Sequence, residues 1–122
     1  MNYGDKVLND MDGLIRLFSS HCRDRDTLDQ LHRMIGNDKS WSRAHDLFSQ
    51  IRRKTLKAEQ AGDQFLTCQY LFEEIIAKTL YNLSGESAPF DADSPYRIIP
   101  NAIAFARRVG VQDAEVINVV AA

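Results

Sequence analysis

This chain of 122 residues is poor in the residues that fasten or interrupt a fold, with two cysteines, three prolines, six glycines and one tryptophan. Cys22 and Cys68 cannot build a disulfide framework, so they read as free thiols and stability has to come from burial. Long apolar runs are also missing, and no membrane-spanning helix is expected. Met1-Asn2-Tyr3-Gly4-Asp5-Lys6 lacks the basic and then apolar segments of a secretory leader. It reads as a natural start leading straight into a helix, with the cytoplasm as the expected compartment. Nor does one sign of charge dominate: 15 basic and 17 acidic side chains leave a formal net charge of −2. Proteins that neutralise nucleic-acid phosphates usually carry a marked basic excess, so nucleic acid is disfavoured as the main partner, although a local basic patch remains open.

What is present is ordinary globular material, 44% hydrophobic and 26% charged, in a length that suits one domain over 1–122. Its apolar residues recur with a helical period. Val7, Met11, Leu14, Ile15 and Phe18 form one stripe over about 5–20. Gly13 interrupts that helix at a cost of roughly 1 kcal/mol against alanine, so a close helix contact is expected to compensate. A short second helix has Leu28, Leu31 and Ile35 on its buried side. Thr27-Leu28-Asp29-Gln30 matches a capping box, and Gly36-Asn37 supplies a stop.

The third helix is expected over about 40–61, capped by Asp38 or Ser40, with Trp41, Ala44, Leu47, Phe48, Ile51, Thr55 and Ala58 on one side. Gly62 ends it and Asp63 caps a fourth helix running to about 83, whose broad apolar face holds Phe65, Cys68, Phe72, Ile75, Ile76, Thr79 and Leu80. Two long helices joined by so short a link pack antiparallel. After a polar connection over 84–93, Ser94-Pro95 reads as a helix start, and Pro100 is expected to break or restart that helix. Gly110 ends it. Asp113 is expected to cap a last helix with Val116, Ile117 and Val120 buried. Nothing alternates with period two. The expected fold is all-α, an antiparallel helical bundle of five to six helices built on a long central helical hairpin.

Few residues stand out as chemistry. Arg16 to His21 and Arg25 to His32 have a spacing that resembles helical-bundle ribonucleases of the HEPN type, in which a histidine would move protons and an arginine would stabilise phosphate. With ten arginines and three histidines such spacings arise by chance, and Leu17 follows the first arginine where those enzymes usually place a polar residue. No catalytic set follows from them. His21, Cys22, His32, His45 and Cys68 lack the close pairing that a zinc site needs, and no metal or other cofactor is expected. Glu73 and Glu74 are adjacent and diverge on a helix, so they cannot act as a catalytic pair, and one of them is expected in solvent.

Two segments remain. Arg53, Lys54 and Lys57 share a helix face and form the candidate nucleic-acid patch, although cations there also offset the helix dipole, and no aromatic interleaves them for base stacking. Pro89–Arg97 concentrates Phe90, Asp91, Asp93, Tyr96 and Arg97 around two prolines, the composition of a rigid recognition loop, although Asp91, Asp93 and Ser94 also suit caps for the next helix and Phe90 and Tyr96 suit rings that seal the end of the bundle. The expected function is therefore that of a small, non-catalytic protein–protein interaction module (an adaptor, regulator or inhibitor) with another protein as its partner. A nucleic-acid-binding or ribonuclease-like domain using the third helix is the alternative. A small-molecule pocket near His32, His45 or Trp41 and a homodimer both stay open, and no membrane partner is expected.

Overall fold

The computed structural model describes residues 3–37, 40–85 and 94–121, and the regular structure among them is helical throughout. In chain order come α1 (Tyr3–Phe18), α2 (Asp26–Ile35), one 3-10 turn (Ser40–Arg43), α3 (Ala44–Gln60), α4 (Gln64–Leu83), α5 (Ser94–Val109) and α6 (Asp113–Ala121). This is the expected helical bundle on a central hairpin. At the hairpin's apex Gly62 takes a left-handed φ of 70°, which a side chain would resist. The Asp63 carboxylate then accepts from the Leu66 amide at 3.0 Å and opens α4.

α4 is the hub of the bundle. It packs along α3 on one side and α5 on the other, and it also meets α2. Its middle, Gln69 to Ala77, is buried apart from Leu71. Phe18 from α1 meets Phe72 of α4 edge-on at 5.3 Å and Phe105 of α5 at 5.1 Å, so three helices share one aromatic centre. The expected stripe on α1 is wholly buried, as are Leu28 and Leu31 of α2 and Ala44, Leu47, Ile51, Thr55 and Ala58 of α3. On α5 the buried positions Ile98, Ala102, Phe105 and Ala106 follow the same period. At Gly13 a Cβ atom would stand 2.6 Å from Cγ1 of Val119, so the missing side chain is what lets α6 lie against α1.

Several local expectations change. Pro100 does not break its helix: α5 runs unbroken through it. Position 100 is exposed, so a carbonyl released from the ladder can turn to water instead of being stranded in the core. The capping box at Thr27 does not form, because the α2 helix already includes Asp26 and the Thr27 hydroxyl is drawn inward. Asp24 serves that end instead, its Oδ1 accepting from the Asp26 amide at 3.0 Å. Asp113 lies inside α6, and Glu115 reaches back to accept from the Gln112 amide at 2.9 Å. Ile117, expected inside, is 49% exposed. The third helix divides into the 3-10 turn and α3; of its two candidate caps, Asp38 lies outside the described residues, as does the side chain of Ser40. Among the described residues no helix is long and apolar enough to cross a membrane.

Candidate functional site

α3 and α5 flank α4 without covering it completely. Leu71 and Lys78 of α4 remain half-buried, and with Ile75 between them they follow the i, i+4, i+7 spacing of one helix face. Phe48 and Arg52, one turn apart on α3, form one bank of this strip. Arg97 and Asn101, one turn apart on α5, form the other. The result is a groove of about 450 Å³. Leu71 and Ile75 give it an apolar floor, extended by Phe48 on the α3 bank, and its polar lining carries Arg52, Lys78 and Arg97.

Among the described residues one carboxylate lines the groove, and it is already engaged. Glu74 is 5% exposed and accepts from the Thr55 hydroxyl at 2.6 Å, with the Arg52 guanidinium 3.4 Å away. The Lys78 ammonium stands 5.3 Å above the centre of the Phe48 ring, a cation–π contact that steadies a charge beside the apolar floor. The Asn101 amide donates to the Arg97 carbonyl at 3.0 Å. Among the described residues, then, the lining holds three cations, Arg52, Lys78 and Arg97, and the carboxylate of Glu74.

The opposite side of α4 is held by a buried polar network. Glu73 is fully buried and accepts from the Thr27 hydroxyl and from Gln69 Nε2, the latter at 2.9 Å. Burial pushes its carboxyl up to about 7 against the pull of these two donors, with the Asp24 charge adding to the rise. Gln69 also donates to the Asp24 carbonyl at 2.5 Å and accepts from the Arg23 amide at 3.3 Å. The Asp24 carboxylate receives the Tyr70 hydroxyl at 2.6 Å and the Lys54 ammonium at 2.8 Å. Partial burial raises the Asp24 carboxyl, but these hydrogen bonds outweigh it and leave it below the ordinary range. The segment between α1 and α2 is thereby tied to α4 and α3. Both glutamates are buried, which corrects the expectation that one of them meets solvent; each instead has its own hydroxyl donor.

Of the residues singled out in the sequence, Arg97 lies on the groove's rim. Phe90, Asp91 and Asp93 lie outside the described residues, and so does the side chain of Tyr96. Of the candidate nucleic-acid patch, Arg53 and Lys57 are exposed on α3, while Lys54 turns toward the segment between α1 and α2 and pairs with Asp24 and, at 3.6 Å, Asp26. The two Arg–His spacings do not assemble as pairs. Arg16 and His32, one from each, converge instead on the Asp12 carboxylate, both at 2.8 Å. Burial lifts the Asp12 carboxyl and these two hydrogen bonds more than reverse it, leaving it lowered. His21 is exposed, and Arg25 lies 3.5 Å from Asp29. His45 meets Tyr81 edge-on at 5.6 Å, and the Trp41 indole donates to the Met34 carbonyl at 3.2 Å. Among the described residues no three His, Cys, Asp or Glu side chains are grouped so as to hold a metal ion. Cys22 and Cys68 are unbridged thiols.

Comparison with protein-family models, with curated proteins and with solved structures finds no match to this chain. The site therefore rests on its own geometry. The sequence did not mark Phe48, Arg52, Leu71 or Lys78 as site residues. Their i, i+4 and i, i+7 spacings were visible, yet such spacings equally describe core stripes until the neighbouring helices are placed.

Proposed function

We propose that this chain is a protein-interaction module that receives an acidic, amphipathic segment of a partner protein in the groove across α4. The observation that carries this reading is the pairing of an apolar floor, Phe48, Leu71 and Ile75, with the cationic rim of Arg52, Lys78 and Arg97. Apolar side chains of a partner would be desolvated on the floor, where binding energy concentrates. Carboxylates flanking them would meet arginine and lysine at the rim, which speeds encounter and sets orientation. Glu74 does not oppose this, since Thr55 and Arg52 already engage its charge.

Panning a random peptide library against the protein tests the reading. Enriched peptides are expected to combine Asp or Glu with Leu or Phe anchors, and Leu71→Ala should weaken their binding about tenfold, the worth of roughly 1.4 kcal/mol. Charge reversal with Lys78→Glu and Arg97→Glu should abolish it, while Arg53→Glu with Lys57→Glu should leave it unchanged. Peptides without acidic bias, or binding that survives reversal of the rim, would overturn the reading. Single-stranded RNA binding that is lost in the Arg53→Glu, Lys57→Glu variant would replace it with the nucleic-acid alternative.

A further inference from the structure

Residues 46, 47 and 50 of α3 lie about half a turn around the helix from Phe48 and Arg52, so they face away from the groove. There a second cleft, of about 420 Å³, opens between α2 and α3. Gln30, Arg33 and Met34 of α2, with Asn37 just beyond it, form one wall. Arg43, from the 3-10 turn, and Asp46, Leu47 and Gln50 of α3 form the other. The Trp41 indole bonded to the Met34 carbonyl ties the 3-10 turn to the last turn of α2 and holds the walls together.

The polar lining carries two arginines. Arg16, Arg23, Arg25, Arg52 and Arg107 each pair with a carboxylate. Arg33 and Arg43 come from different elements onto one cleft, and neither has a carboxylate partner among the described residues. Around them stand three carboxamides, Gln30, Asn37 and Gln50, over the apolar Met34 and Leu47.

We propose that this cleft binds a nucleoside monophosphate. Two guanidinium groups from separate walls suit the several oxygens of one phosphate, since each arginine can offer paired N–H donors. A carboxamide presents a donor beside an acceptor, the complement of the amide-like and amidine-like edges of a nucleobase. Met34 and Leu47 give the flat ring an apolar, adaptable floor. Asp46 is placed to accept from ribose hydroxyls, and its charge disfavours a longer polyphosphate chain. The volume belongs to the lower part of the range for small-molecule clefts, about 300–1,000 Å³, which fits one nucleotide.

Trp41 is the chain's single tryptophan, and its hydrogen bond to the cleft wall makes its fluorescence a reporter of occupancy. The full chain is titrated with AMP, GMP, CMP, UMP and inorganic phosphate, with equilibrium dialysis of labelled nucleotide as a second readout. At least one nucleotide is expected to saturate with a Kd below about 1 mM, and inorganic phosphate to bind at least tenfold more weakly. Arg33→Ala and Arg43→Ala should each weaken the nucleotide about tenfold, and their combination should remove saturation. Gln50→Ala should alter the preference among bases and leave inorganic phosphate unaffected. Because the cleft is separate from the groove, Lys78→Glu with Arg97→Glu should leave nucleotide binding unchanged. The proposal is overturned if neither readout saturates, if inorganic phosphate matches every nucleotide, or if the double arginine variant binds as well as the parent.

Discussion

The hydroxyl of Thr27, in the first turn of α2, donates to the carboxylate of Glu73, 46 residues later in α4. This contact and its neighbours at Gln69 and Asp24 join the segment between α1 and α2 to the hub helix. A buried carboxylate with two donors is tolerable in a helical core, whereas one stripped of a donor keeps its full desolvation cost.

The Glu73 carboxyl makes stability depend on pH in a defined direction. Its folded value of about 7 lies above its ordinary 4.5, so the folded chain binds the proton more tightly than the unfolded one. The contribution is complete below pH 4.5 and is lost as pH rises through about 7. Asp12 and Asp24, both lowered, act in the opposite sense and lose their contribution as pH falls below the carboxylate range. Glu73→Gln removes the first effect alone. Between pH 4.5 and 8 the parent chain should lose on the order of 3 kcal/mol relative to that variant in urea unfolding. Parallel curves for the two proteins would show that Glu73 does not titrate in this range.

Gly13→Ala should destabilise the fold even though alanine is the better helix former by about 1 kcal/mol. The added methyl would collide with Cγ1 of Val119 at 2.6 Å, and overpacking of this kind costs roughly 1–3 kcal/mol. Adding Val119→Ala should return most of the loss, so the double-mutant cycle reads a coupling energy between α1 and α6. Additive effects in thermal unfolding would mean that the contact does not limit the packing.

Cys22 should react slowly as a nucleophile. Burial pushes its thiol up to about 12, with the Glu73 charge reinforcing the shift, so little thiolate is present at neutral pH. In a Cys68→Ser variant, alkylation of the native protein by iodoacetamide should run about a thousandfold slower than that of a free thiol, followed by mass spectrometry. The Glu73→Gln variant should react faster than its parent, since the main charge opposing the thiolate is gone. Fast labelling of Cys22 in folded protein would contradict this placement.

Much of the architecture was legible from residue periodicity. The α1 stripe, the Gly62-Asp63 hairpin apex and the close contact at Gly13 all follow from the 3.6-residue repeat and from what glycine and aspartate do at helix ends. The polar interior was not legible. Thr27 looked like a cap because a local sequence offers that role, and its hydroxyl was instead taken by Glu73 from another helix. Pro100 looked like a break because proline removes a hydrogen bond, and the exposed side of α5 makes that loss tolerable.

The groove and the cleft divide in the same way. Arg97 was conspicuous as a residue, whereas Arg52, Arg33 and Arg43 were present without being conspicuous at all. The sequence by itself determined the helices, their order and the hairpin that organises them, since periodicity and capping act between residues a few positions apart. Tertiary structure alone decided which cations are paired, which glutamates are buried and which side chains line one cavity. Those outcomes depend on how distant segments are brought together, as in the ion pair of Lys54 with Asp24 or the shared cleft lined by Arg33 and Arg43, and no local pattern encodes them.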